Sequence, residues 1–190
     1  MKRLFGIAIV AVAAMACSSN AVTSTEDAQK AYLGLDASID KAITLGFAGF
    51  NAAKSANIDP QTANGAKTGT MTITGQVDQG SSANKGMRLV EKLVTYSDDG
   101  KLTYATNDAT PPKLDMQLKG IPNGTLNGTL IGTYTMDGDL KGSVTLNLAF
   151  SGTLQPNATD AKIVELKPGT THITGTATSG DAVYNVDVTR

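Results

Sequence analysis

Few side chains in this sequence could do covalent or metal chemistry, and their types and spacing narrow what that chemistry would be. There is one histidine, His172, and one cysteine, Cys17. One imidazole excludes a multi-histidine metal centre, and one thiol excludes both an internal disulfide framework and multi-cysteine metal sites. A Ser-His-Asp triad would have to use His172, which opens a Thr-rich stretch with no nucleophile-elbow motif nearby, so it reads as a solvated strand residue. Asp98-Asp99 and the Asp137/Asp139 pair put carboxylates in turns, where oxygen ligands can hold calcium. Asp and Gly are also the default turn residues for backbone reasons, and that simpler reading is preferred. The glycines from Gly124 to Gly132 have no Lys-Ser/Thr ending and lead into no helix, so they are strand glycines, not a phosphate loop. The expectation is a non-enzyme with no catalytic residue, no cofactor and no metal site.

Cys17 has a different context. Lys2 and Arg3 form a positive start, and Leu4 to Ala16 is an apolar run of 13 residues, about 20 Å long as a helix and too short for a bilayer core of about 30 Å. It ends in Ala14-Met15-Ala16, and Cys17 is followed by polar Ser18-Ser19-Asn20. On these residues the chain resembles bacterial lipoproteins. Their signal peptide is cut before a cysteine whose sulfur carries diacylglycerol. In this sequence Ala14 stands where those proteins usually have Leu, and Met15 is bulkier than usual. Ala14-x-Ala16 also fits ordinary signal peptidase, which would release a secreted protein.

The resemblance implies a signal peptide over residues 1–16, a lipidated tether over 17–24 with Cys17 as the lipidation site, and palmitate-type acylation. It further implies a membrane partner through the lipid anchor. Ser18 after the cysteine implies the outer membrane of a bacterial cell envelope. The sequons at Asn123, Asn127 and Asn157 carry no weight in such a source.

The 190 residues carry 16 Lys+Arg against 17 Asp+Glu, and only 17% are charged. Such a chain has no basic field for nucleic acid. Twenty Gly and 25 Thr favour strands and tight turns. From Thr23, a capping box (Thr23 with Glu26) opens an amphipathic helix over about 25–55, with its apolar stripe on Ala28, Ala31, Tyr32, Leu35, Ile39, Ala42, Ile43, Gly46, Phe50 and Ala53. Gly46 and Gly49 predict a kink or an early end. Residues 61–69 read as a connector.

From about 68 to 190 the period is two, giving eight candidate strands and a short ninth over 162–167. Loop parity pairs Val94 and Tyr96 with Tyr104 and Leu102 around Asp98-Asp99-Gly100. It pairs Leu126 to Met136 with Phe150 to Leu140 around Asp137-Gly138-Asp139, and Gly175 and Ala177 with Val186 and Tyr184 around a Gly180-Asp181 turn. The fold class expected is α+β. A single domain, residues 25–190, has one N-terminal amphipathic helix packed on a curved, half-barrel-like antiparallel meander, with Gly128, Gly132 and Gly142 admitting the helix. The function expected is a non-catalytic structural or interaction module with a protein partner in the envelope. The alternative is a half-barrel carrier of an apolar ligand or lipid.

Overall fold

Ser24 starts the helix. In the computed structural model, which describes residues 21–190, Ser24 is extended (φ −141°, ψ 164°) and its hydroxyl accepts the Asp27 N–H at 3.2 Å. This cap lies one residue beyond the expected Thr23–Glu26 box. Asp27 accounts for the shift, because its carboxylate reaches back to the Thr23 N–H at 3.3 Å. From there α1 runs over Thr25–Ala52. The stripe from Ala28 to Gly46 is buried, and Phe47 (5% exposed), not half-buried Phe50, carries it onward. Phe47 continues the i, i+4 line of Leu35, Ile39 and Ile43.

The helix runs unbroken through Gly46 and Gly49. These glycines serve close approach instead. A Cβ at Gly46 would lie 2.5 Å from Met116 Cε and 2.9 Å from Leu89 Cδ1, and one at Gly34 would run into the Tyr104 hydroxyl. That hydroxyl donates to the Ala31 carbonyl at 2.8 Å.

The remainder is antiparallel sheet: β1 Gln61–Asn64, β2 Thr68–Val77, β3 Lys85–Ser97, β4 Leu102–Thr106, β5 Lys113–Lys119, β6 Thr125–Gly138, β7 Gly142–Pro156, β8 Val164–Leu166, β9 His172–Ser179 and β10 Ala182–Thr189. Among the described residues ten strands thus stand where eight and a short ninth are expected; the ninth is β8 and the additional one is β1. Their order is β1-β2-β3-β4-β6-β7-β9-β10, with β5 beside β3 and β6, and β8 beside β7. β1 lies inside the expected connector. Its Gln-Thr-Ala-Asn sequence has no apolar alternation to reveal a strand.

β4 and β5 share one slot between β3 and β6. Thr106 pairs with Tyr134 and Lys113 with Ile131, so seven steps on one side span three on the other and four residues loop out. Pro111 and Pro112 sit in that loop, and neither has an N–H to give to a ladder.

Registers depart from expectation where turns are wider than parity alone requires. Tyr96 pairs with Tyr104, not Leu102. The Asp99 carboxylate accepts the N–H groups of Lys101 and Leu102, and Ser97 Oγ accepts the Gly100 N–H, which together hold a longer turn. Val94 is 48% exposed although Tyr96 is buried. A bulge separates them: Thr70 pairs with Val94 and Thr68 with Ser97, and Thr95 takes φ +47°. Likewise Met136 pairs with Gly142 and Gly128 with Phe150, two residues from the expected register, around a turn closed by an Asp137–Lys141 ion pair at 3.1 Å.

The Gly180-Asp181 hairpin has the expected pairing, with Gly180 at φ +56°. The glycines of β6 do not admit the helix. The Phe150 ring fills the space over Gly128, and Pro112 covers Gly132.

Buried side chains of α1 and of the strands join in one apolar cluster, from Leu35 and Ile39 to Leu130, Leu148 and Ile173. Ile39→Ala should therefore lower unfolding stability by roughly 2–5 kcal/mol through lost burial and an unfilled cavity. Gly34→Ala should cost about 1–3 kcal/mol through overpacking on Tyr104. Leu33→Ala, at a site 54% exposed, should stay within about 0.5 kcal/mol of wild type. Urea unfolding of the three variants checks the ranking.

Candidate functional site

The expected lipidation site, Cys17, lies outside the described residues. His172 begins β9 on an exposed position, its Nε2 2.8 Å from Asp187 Oδ1. This is an exposed cross-strand pair, and Ser151 of β7 is the register partner of His172 on the other side.

Three of the turn carboxylates, Asp98, Asp99 and Asp137, serve turns or ion pairs. Asp98 accepts Lys41 Nζ at 3.0 Å, the Tyr96 hydroxyl at 2.7 Å and the Ala66 N–H at 2.7 Å. Burial pushes that carboxyl up, but the hydrogen bonds from Ala66, Tyr96 and Lys41 outweigh it and hold it below the ordinary value. Asp98 in turn helps burial to raise the Tyr96 phenol. Lys41 also donates to the Tyr96 hydroxyl (2.7 Å) and the Asn64 carbonyl (3.2 Å), tying α1 to β3 and to the end of β1. Among the described residues no three His, Cys, Asp or Glu side chains come together in a way that could hold a metal ion.

One acidic group departs from this pattern, and sequence reading passed over it. In β3 the inward positions run Met87, Leu89, Glu91, Leu93, so Glu91 falls where the alternation demands an apolar residue. It is 1% exposed. Its Oε2 accepts the Tyr134 hydroxyl at 2.6 Å, and Oε1 has no hydrogen-bond partner. Burial pushes the Glu91 carboxyl up to about 7, with the Tyr134 hydrogen bond pulling the other way. Burial likewise raises the Tyr134 phenol, and the neighbouring Glu91 adds to the rise. The alternation alone marks Glu91 as anomalous. Its partner, 43 residues away, leaves no local mark. Both side chains of the dyad are buried away from solvent.

One of the clefts open to solvent, of about 390 Å³, lies beside Lys30, Leu33 and Gly34 of α1. Leu33, Leu102 and Leu140 line it together with Lys30, Lys101, Asp99 and Asp139. The β3–β4 and β6–β7 turns supply every part of it that α1 does not.

Glu91 gives the core a pH dependence of defined sign. The folded carboxyl binds its proton more tightly than the free side chain at 4.5. Stability from this group is therefore complete below about pH 4.5 and is lost as pH rises to about 7, a fall on the order of 3 kcal/mol. Glu91→Gln should remove that slope. Unfolding midpoints in urea at pH 5, 6, 7 and 8, wild type against variant, check it.

Comparison with protein families, with characterised proteins and with solved structures finds no match to this chain.

Proposed function

We propose that the protein is a lipoprotein of the bacterial cell envelope, cut before Cys17 and held at a membrane, most directly the outer membrane, by lipid on that sulfur. The observation that carries this reading is position. The one cysteine of 190 residues stands at the foot of a 13-residue apolar run, after Ala14-Met15-Ala16 and before a polar tether. Several acyl chains together hold a protein far more firmly than one does.

The folded part is a structural or interaction module rather than an enzyme, with a protein partner in the envelope. Support for this comes from how the polar groups are used. His172, Asp98, Asp99 and Asp137 are each consumed by an ion pair or a turn, and Glu91 by Tyr134. A half-barrel form fits the contacts of α1, which touches β1, β2 and β3 on one side and β9 and β10 on the other. In that form the helix occupies the concave side that a carrier would keep for its ligand. Burial of Leu35, Ile39 and Ile43 at 2% exposure or less speaks for the interaction module over the carrier.

Metabolic labelling with a radiolabelled fatty acid should mark the wild-type protein and leave Cys17→Ser unmarked. Equal label in both would refute the anchor. Mass spectrometry of organic extracts of the purified protein should find no stoichiometric lipid beyond the covalent one, and such a lipid would restore the carrier reading.

A further inference from the structure

The tether leaves the fold at a fixed place. Ala21 forms a parallel bridge with Lys141, next to Leu140 of the cleft, and Val22 packs against the core. From Ala21 back to Cys17 there are four Cα–Cα steps, a reach of at most about 14 Å. A domain of this size is roughly 40 Å across. A lipid on Cys17 therefore brings only the Ala21 end of the molecule to the bilayer.

The surface found at that end suits a lipid interface. Leu33, at 54%, is the most exposed of the large hydrophobic side chains among the described residues. It stands in the cleft beside Leu102 and Leu140, with Lys30 and Lys101 on the rim. Long lysine stems can lie along apolar surface while their ammonium groups meet phosphates. Asp99 and Asp139 share the rim, so its charge is balanced and a zwitterionic headgroup layer suits it better than an anionic one.

We propose that this cleft is a membrane seat: Leu33 enters the interfacial layer of the same bilayer that holds the anchor, and the opposite end of the sheet points away from it. The proposal rests on the reading of Cys17 as lipidated. It adds an orientation that the anchor alone does not fix.

The sequence contains no Trp, so an introduced indole reports alone. Leu33→Trp places it in the cleft. Ile163→Trp places it on another exposed apolar residue, 37% exposed, beyond the far end of β7. The full-length lipidated protein is reconstituted in vesicles of phosphatidylethanolamine and phosphatidylcholine containing brominated acyl chains. The Leu33→Trp indole should shift to the blue and be quenched several-fold more than the Ile163→Trp indole.

Equal quenching, or none, in protein that co-floats with the vesicles would overturn the seat and leave the anchor standing. Protein that does not co-float would overturn both. Should Leu33→Trp lose its cooperative thermal transition, Lys30→Trp, one turn earlier on the same rim, gives the same outcomes.

Discussion

Tyr104 of β4 meets α1 at a point where the helix has no side chain, and that contact needs both partners as they are. At Gly34 the helix carries no Cβ, and the Tyr104 hydroxyl occupies that space and donates to Ala31 O. A buried phenol without a partner would cost a few kcal/mol, so the bond and the gap need each other. Twelve residues on, Gly46 repeats the device against Met116 and Leu89. These approaches let Leu35, Ile39 and Ile43 reach full burial, and Lys41 meets Asp98 and Tyr96 at the same depth. On the other flank Arg190 bonds Asp36 and Asp40. Polar pairs on both sides therefore register a helix whose seating is set by small residues.

The period-two pattern identifies faces with fair success, because one face of the sheet is apolar and the other is a Thr/Asn surface. It does not identify partners. Shifting a strand by two residues keeps every side chain on its face, so the β3–β4 and β6–β7 registers slip by two in a reading from parity alone. What fixes them is the side-chain bonding of Asp99, Ser97 and Asp137 inside the turns. The β9–β10 hairpin is legible throughout, since a two-residue turn led by Gly180 leaves one register only. Thr95 at φ +47° could not be foreseen, because a β-branched residue rarely takes that conformation.

The chemistry is legible in a different proportion. His172, Asp98, Asp99 and Asp137 announce themselves by residue type and turn out to be held by ion pairs or turn hydrogen bonds. Glu91 announces itself only by breaking an alternation. Tyr134 lies on another strand, and only the folded chain brings the two together. Residue type thus identifies the groups that chemistry could use, while burial and long-range pairing determine which of them is electrostatically unusual.

Glu91 stands at a gap in the pairing of β3, between its pairs with β5 and its pair with β4. Between β4 and β5 the slot facing the middle of β3 is broken, and β3 turns there to other partners. The Glu91 N–H donates to Pro112 O at 3.0 Å, and the Leu93 N–H donates to the Thr106 hydroxyl at 3.0 Å. The carboxyl of Glu91 then reaches across the break to Tyr134 of β6. An apolar residue at this position would avoid the desolvation cost, yet it would leave the Tyr134 hydroxyl buried and unpaired. Phe at 134 would in turn strand the acid. The two residues depend on each other, and their bond joins β3 to β6 where no continuous ladder does. The same bond makes the protonation state of one carboxyl a property of how these two strands are held together.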